Sequence, residues 1–403
     1  MPWIGVTVME QRVRFLEDYR TGYYRISDLA RRYSISRKTA HKWISRFNKV
    51  GEEGFVEHSR RPKRSPQETP STLVEAILAV RRAHPRWGPR KLLAVLRRRH
   101  RYWDLPSVAT VARILKRNGQ VSPRRHYRRS HPGCPKSQAT GPNEIWAADY
   151  KGQFRLRDGT YCFPLTVSDL YSRFLLGCDA HSCVSEVKTM QYFTYLFQTY
   201  GLPKRIRTDN GVPFASNALA RLSKLSVCWI KLGIYPELIE PGKPQQNGIH
   251  ERMHWTLKQE TTLPPEATLE QQQRRFDLFC QEYNHERPHQ SLHDARPAEL
   301  YAPSRELYQP EIVPYDYPGN CLVRRVSRCG TIRVLHNQVF VSQALNEEYV
   351  GLEEVDNGIY DLYFCFYHIG RYNLHTNRIE GIISKVPVSR TLADRPERLS
   401  PMS

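Results

Sequence analysis

Glu144-Ile-Trp-Ala-Ala-Asp149-Tyr150 is an apolar run that ends on a carboxylate, and it reads as a strand buried on at least one face. By the two-residue period of a strand, Ile145, Ala147 and Asp149 share a face. Downstream, the chain passes Phe154 and the hairpin signal Asp158-Gly159. It then enters Tyr161-Cys-Phe-Pro-Leu-Thr-Val167 and Phe174-Leu-Leu-Gly-Cys178, so three antiparallel strands are expected. Val184 to Tyr200 has helical character and is stopped by Gly201, after which Lys204-Arg-Ile-Arg-Thr208 is a short strand with Asp209 at its carboxyl end. The following Asn210-Gly211 can turn sharply enough to leave that carboxylate open in a crevice.

A third acid lies on a different kind of element. Asn247 to Glu260 contains no proline, and Ile249, Met253 and Leu257 recur every four residues as an expected core-facing stripe. Asn247, Glu251, His254 and Lys258 form a second stripe, which sets the acid beside polar and cationic groups that could meet the same substrate. Asp149, Asp209 and Glu251 are far enough apart in the chain that only tertiary structure could gather them. Gathered without a cation they would repel one another, whereas divalent ions with oxygen ligands remove the conflict. Magnesium is the expected ion, two of them roughly 3.5–4 Å apart, with manganese as a substitute. One ion would activate water or a 3′-hydroxyl, and the other would stabilise the leaving 3′-oxygen. The competing reading makes each acid a turn residue, a cap or a solvated helix charge; the ordered series strand-Asp, strand-Asp-Asn-Gly, helix-Glu argues against it.

Trp146-Ala-Ala-Asp149, Thr208-Asp-Asn-Gly211 and Pro241-Gly-Lys-Pro-Gln-Gln-Asn-Gly248 followed by Glu251-Arg252 resemble the three catalytic blocks of the DDE transposases of bacterial insertion sequences. Those enzymes share an RNase H-like core with retroviral integrases. A fourth block is similar to the segment that closes this core: Tyr283-Asn-His-Glu-Arg-Pro-His-Gln-Ser-Leu292, then Arg296-Pro297-Ala-Glu-Leu-Tyr301. The resemblance implies that Asp149, Asp209 and Glu251 are both catalytic residues and metal ligands. The interval between the second Asp and the Glu is longer here than the resemblance implies, through extra sequence around Leu225 to Pro236. Glu237 and Glu240 therefore remain weaker candidates for the third ligand, and Glu251 is preferred for its Asn-Gly-x-x-Glu-Arg context.

With 403 residues the chain can bury more than one core, and a formal net charge of +21 calls for an anionic partner. Nucleic acid fits better than a membrane, because the basic residues alternate with aromatics and no apolar run reaches transmembrane length. Glu10, Glu17 and Asp18 do not suit a signal peptide, so a cytoplasmic, nucleoid-associated bacterial protein is expected. The nine cysteines form no Cys-x-x-Cys and read as reduced thiols, and zinc is not expected. Because the first cysteine is Cys134, the His-His-Cys-Cys domain that precedes the core of retroviral integrases has no counterpart, which favours a transposon over a viral origin.

Residues 9–50 show a helix-turn-helix pattern in which Gly22 closes the first helix, Ser27 caps the second and Ser36 the third. Arg37, Lys38, His41 and Lys42 are expected to reach DNA bases in the major groove, and Arg46 a phosphate. A linker rich in Pro and charge, 51–70, leads to a second such module at 71–120. There Pro89 opens one helix, and Ser107 and Gly119 bracket another that presents Thr110, Arg113, Lys116 and Arg117 to DNA. Arg86-Trp-Gly-Pro-Arg-Lys91 and Thr110-Val-Ala-Arg-Ile-Leu115 resemble the second helix-turn-helix unit of such transposases. A basic tether, 121–143, should track phosphate through Arg124, Arg125, Arg128 and Arg129. In the core, Asn210, Asn247, Arg252, His254 and Lys258 are the further expected DNA contacts. After Tyr301 the pattern becomes short alternating runs, from Cys321-Leu-Val-Arg-Arg-Val326 to Gly358-Ile-Tyr-Asp-Leu-Tyr-Phe-Cys-Phe366, and a small barrel with Tyr360, Tyr363, Phe366 and Tyr367 in its core is expected.

The expected architecture is therefore multidomain: two all-α helix-turn-helix modules, an α/β RNase H-like core with a mixed five-stranded sheet at 144–302, a small β-barrel at 315–385 and a disordered tail at 386–403. The expected function is a transposase that binds the terminal repeats of its element, cleaves one strand with a divalent metal and transfers the 3′-end to double-stranded target DNA. Synapsis of two ends calls for a homo-oligomer, at least a dimer; the need for an accessory ATPase stays open, as does the choice between cut-and-paste and copy pathways. A catalytically silent DNA-binding regulator and a metal-dependent nuclease are the alternatives.

Overall fold

The computed structural model describes residues 7–57, 68–121, 137–216 and 218–380. Arg124, Arg125, Arg128 and Arg129 of the expected tether, half of the expected linker and the expected tail lie outside the described residues. The chain forms two compact units, 1–71 and 72–403.

In the first unit, α1 (Val8–Arg20), α2 (Ile26–Arg32) and α3 (Arg37–Val50) surround a core of Phe15, Leu16, Leu29, Ala30, Ala40, Trp43, Ile44 and Phe55. Thr7 and Glu10 close a reciprocal capping box at the start of α1, and Ser36 accepts from the Thr39 backbone N–H at 3.1 Å at the start of α3. Ser27 does not cap α2. That helix begins at Ile26 after Arg25, which gives no side-chain cap, so Ser27 sits inside its first turn.

The second unit opens with three helices, α4 (Ser71–Ala83), α5 (Pro89–Arg99) and α6 (Val108–Arg117), packed through Leu73, Ile77, Trp87, Leu92, Val111 and Ile114. Pro89 occupies the first position of α5 and the Ser107 hydroxyl caps α6 by accepting from Thr110 N–H at 3.2 Å. This trio is attached to the sheet domain by ion pairs: Arg90 Nε donates to both oxygens of Asp294 at 3.1 Å, and Arg98 reaches Glu299 at 3.1 Å.

The sheet domain comprises β1 (Ile145–Tyr150), β2 (Phe154–Arg155), β3 (Tyr161–Asp169), β4 (Leu175–His181), α7 (Glu186–Tyr200), β5 (Arg205–Thr208), α8 (Lys224–Lys231), β6 (Tyr235–Leu238), α9 (Gly248–Thr261), α10 (Leu269–His285) and α11 (Pro297–Leu300). Strand β1 is central. It runs antiparallel to β3, with Asp149 opposite Thr166, and parallel to β5, with Ala147 opposite Arg207. Carried two residues further, the parallel register brings position 149 level with position 209. Beyond β3 lies β4, beyond β5 lies β6, and β2 adds two residues on β3, so the sheet is mixed as expected but has six strands, not five, because the short β2 pairs with the start of β3. Alternation divides its two faces. Trp146, Ala148, Leu165 and Val167 meet Phe193, Leu196, Phe197 and Trp229 of α7 and α8 on one side. Cys162, Leu175 and Cys178 meet Met253, Leu257, Phe276, Phe279 and Tyr283 of α9 and α10 on the other. Asp149 belongs to the α9 side.

The C-terminal region does not close into a barrel. Strands β7 (Cys321–Arg325), β8 (Thr331–Val334), β9 (Asn337–Phe340), β10 (Tyr349–Asp356), β11 (Ile359–Phe364), β12 (Tyr367–Asn373) and β13 (Arg378–Glu380) divide into an open antiparallel sheet, β13-β12-β11-β10-β7, and a separate β8-β9 hairpin. Closure would require the edges β7 and β13 to pair. Instead the apolar face is covered from outside: Leu222 and the α8 residues Val227 and Ile230 join Val350, Leu352, Leu362 and Phe364 in one core. Tyr360 and Tyr367 pack against that core as expected, but Phe366 is exposed, with buried Tyr372 among the core residues. Among the described residues no helix is long and apolar enough to cross a membrane.

Candidate catalytic site

Asp149 is held by the strand that the sheet buries most completely. Ile145 to Ala148 are fully buried and Asp149 is the first residue of β1 to regain some solvent, with 22% of its side chain exposed. Asp209 follows the last residue of β5, where its Oδ1 accepts from the Gly211 N–H at 3.1 Å. A Cβ at Gly211 would stand 3.0 Å from Asp209 Oδ2, so glycine there leaves the carboxylate its room. Glu251 is exposed in the first turn of α9, where the positive end of the helix dipole favours an anion.

The three acids act on one another. The Asp149 carboxyl is pushed up to about 7, first by burial, then by the negative charge of Asp209, with Glu251 adding to it and Lys151 opposing it. Two acids from distant parts of the chain therefore stand close enough to disfavour ionisation of a third. Among the described residues, no three His, Cys, Asp or Glu side chains are grouped closely enough to hold one ion. The donor chemistry nonetheless fits a hard divalent cation, since all three acids offer oxygen ligands and the strain on Asp149 is what such a charge relieves. Among the described residues, the buried Oδ1 of Asn247 at the mouth of α9 has no hydrogen-bond partner.

The weaker candidates for a third ligand are engaged elsewhere. Glu237 is buried against Arg207, whose Nε donates to it at 2.6 Å, and it accepts from Ser137 at 2.7 Å. Glu240 is hydrogen-bonded by Gln246 at 2.9 Å and paired with Lys243.

Helix α9 is rotated from the expected placement. Ile249 is 38% exposed, while His250, Met253, His254, Leu257 and Thr261 face inward. The signal for this was weak, because two histidines interrupt the apolar stripe. Both imidazoles are hydrogen-bonded to β3. Thr166 Oγ1 lies 2.8 Å from His250 Nε2 and 2.5 Å from His254 Nε2, and Ser168 Oγ lies 2.7 Å from His250 Nδ1. Burial lowers the affinity of both rings for a second proton, His250 to about 3, so both are neutral. His254 and Asn247, expected to face DNA, are thus inside the fold. Asn210 is braced between the Ile239 carbonyl and Arg221, at 2.8 and 2.7 Å. Arg252 and Lys258 remain exposed, Arg252 lying over the Trp255 ring.

In the helical modules, Arg37, Lys38, His41 and Lys42 are exposed along the start of α3, and Arg46 is half-buried over Trp43. Arg113, Lys116 and Arg117 are exposed on α6, with Arg113 donating to Thr110 Oγ1 at 3.1 Å.

Several parts of the chain are similar to known proteins. Residues 232–297 match the family model "Integrase core domain", 11–63 a "Helix-turn-helix domain" and 39–115 a "Homeodomain-like domain". The integrase match includes Glu251 and begins after both aspartates. A 31.7 kDa protein of insertion element IS407 from Burkholderia multivorans is 26% identical over 244 residues, 60% of this chain and 84% of the relative. A 39.2 kDa protein of insertion element IS476 from Xanthomonas euvesicatoria is 27% identical over 266 residues, 64% of this chain and 72% of the relative. Among solved structures, the HTLV-2 integrase catalytic core domain in complex with magnesium aligns over 41% of this chain and all of its own, with a TM-score of 0.33 and 15% identity.

Proposed function

The chain belongs to the insertion-sequence transposases of the integrase superfamily, and from that premise we propose that it cuts the ends of its element and joins them to target DNA at a site made of Asp149, Asp209 and Glu251. The observation that carries this reading is that Asp149, brought by the fold beside Asp209 and Glu251, is lifted to about 7, first by burial and then by the negative charges of those two acids. Folding keeps such a cost where a ligand removes it.

Asp149, Asp209 and Glu251 would hold the metal. When bound, magnesium or manganese supplies the positive charge that activates the attacking oxygen and stabilises the leaving 3′-oxygen. The chain supplies geometry. Strands β1 and β5 fix two carboxylates side by side, and α9 brings the third across from its own first turn. Arg252 and Lys258, exposed on the same helix, meet backbone phosphate and hold the scissile strand. The exposed faces of α3 and α6 bind the terminal repeats, and the joining of two readers by the intervening chain raises the affinity for an extended end. One core cannot serve both ends of an element, so the active form is at least a dimer.

Incubation of the full chain with a labelled element end and magnesium tests this. Wild type should give nicked ends and strand-joined products, while Asp149→Asn, Asp209→Asn and Glu251→Gln should bind the same DNA and give neither. Binding without metal-dependent product in the wild type would support a regulator instead. Nicks without joined strands would support a nuclease.

A further inference from the structure

The two histidines of α9 form, with β3, a buried chain that ends at Asp149. Its members are in contact in the order Ser168 Oγ, His250 Nδ1, His250 Nε2, Thr166 Oγ1, His254 Nε2 and His254 Nδ1. The last atom stands 3.6 Å from Asp149 Oδ2. All four side chains are buried, with 0 to 4% of each residue exposed, so each proton must find an acceptor inside the protein.

Counting protons narrows the arrangement. Thr166 has one hydroxyl proton and three neighbours that could accept it: the two Nε2 atoms, at 2.8 and 2.5 Å, and the Asp149 carbonyl at 3.2 Å. Each neutral ring has one N–H. For His254 that proton sits on Nε2, pointing at Thr166, or on Nδ1, pointing at Asp149. Facing an ionised carboxylate, as in the metal-binding form, a bare Nδ1 lone pair is repelled, whereas an N–H there is attracted, so the carboxylate selects the Nδ1–H form. Nε2 must then accept, and the nearest hydroxyl proton is that of Thr166. Thr166 in turn accepts from His250 Nε2–H, and the Ser168 hydroxyl donates to His250 Nδ1.

We propose that His254 is a positioning residue for Asp149: its Nδ1–H, fixed by Thr166 on the opposite ring nitrogen, orients the carboxylate for the cation and couples it to the helix that carries Glu251. This rests on the catalytic reading above. The hydrogen bonds of this buried chain join β3, the partner of the Asp149 strand, to the helix that carries Glu251, and His254 Nδ1 meets the Asp149 carboxylate at the longer distance of 3.6 Å. The third element, β5, is aligned by the sheet itself. Lys151 acts on the same carboxylate through its charge.

The test uses the full chain with and without manganese. In metal-free protein labelled with ¹⁵N-histidine, at a pH well above 7 where Asp149 is ionised, His254 should appear as the Nδ1–H tautomer and His250 as the Nε2–H tautomer. Thr166→Val should release His254 into a mixture. Removing an outer partner of a metal site typically lowers affinity roughly 10–100-fold, and His254→Leu should lower manganese affinity, read by electron paramagnetic resonance, within that range. His254→Asn places an amide N–H where Nδ1–H was and should recover most of the affinity, while His254→Gln, which extends toward Thr166, should not. A His254 resonance with the proton on Nε2, or equal manganese affinity in wild type and His254→Leu with a folded protein in both, overturns the proposal. Asp149→Asn separates the two readings. If it binds manganese and cleaves like wild type, the catalytic reading fails; if it loses both while His254→Leu loses neither, only the positioning role fails.

Discussion

Asp149 is the residue on which function and stability oppose each other most directly. Its ordinary value near 3.8 rises to about 7 in the folded protein without metal. A raised folded value means that the native state holds the proton more tightly than the unfolded chain does. The contribution is therefore fully present below pH 3.8 and is lost as the pH rises through 7, and the shift is worth roughly 4 kcal/mol at most. Asp149→Asn, neutral at every pH, should raise the melting temperature of the metal-free protein above pH 7 and lose that advantage near pH 4. Thermal melts across this range check it; an advantage that is constant with pH would mean that charge is not the cause. Manganese should raise the wild-type melting temperature at pH 7.5 and leave that of Asp149→Asn nearly unchanged.

At the scale of elements, the strands and helices around the site were legible because each acid follows a clear local pattern. Four buried residues lead into Asp149, a strand followed by Asn-Gly carries Asp209, and Gly201 ends α7 with φ +77°. The facing of α9 was not legible. A histidine counts as polar in an amphipathic stripe, yet His250 and His254 are buried because β3 offers them Thr166 and Ser168. The open C-terminal sheet was equally hidden, since closure depends on which surface covers the apolar face and the covering residues, Val227 and Ile230, come from a helix about a hundred positions upstream. The role of Glu237 also emerged only in three dimensions, where Arg207 holds it at 2.6 Å in the core. Breaking a buried pair by neutralising one partner costs about 3–5 kcal/mol. Glu237→Gln should lower the urea midpoint accordingly, while the folded fraction keeps metal-dependent cleavage. Loss of cleavage with an unchanged midpoint would move Glu237 into the site.

Across the whole molecule, the net charge of +21 is spread over both compact units, with exposed cations on α3, α6 and α9. DNA affinity should therefore fall steeply with salt. Each of Arg37→Ala, Lys116→Ala and Lys258→Ala should reduce the slope of log K against log salt by about 1 if the side chain meets phosphate. A substitution that changes sequence preference but leaves the slope alone identifies a base contact instead. Helices α3 and α6 followed from caps and spacing, whereas the ion pairs that fix α5 to the sheet domain, Arg90 to Asp294 and Arg98 to Glu299, join residues about two hundred positions apart and carry no local signal.

The central claim is that Asp149, Asp209 and Glu251 converge on divalent metal. Crystals of the full chain bound to an element end, soaked in manganese and measured at the manganese absorption edge, test it in one experiment. The account predicts anomalous peaks within ligand distance of the Asp149, Asp209 and Glu251 carboxylates. Peaks elsewhere, or no peak at these carboxylates while the DNA end is seated beside them, would contradict it.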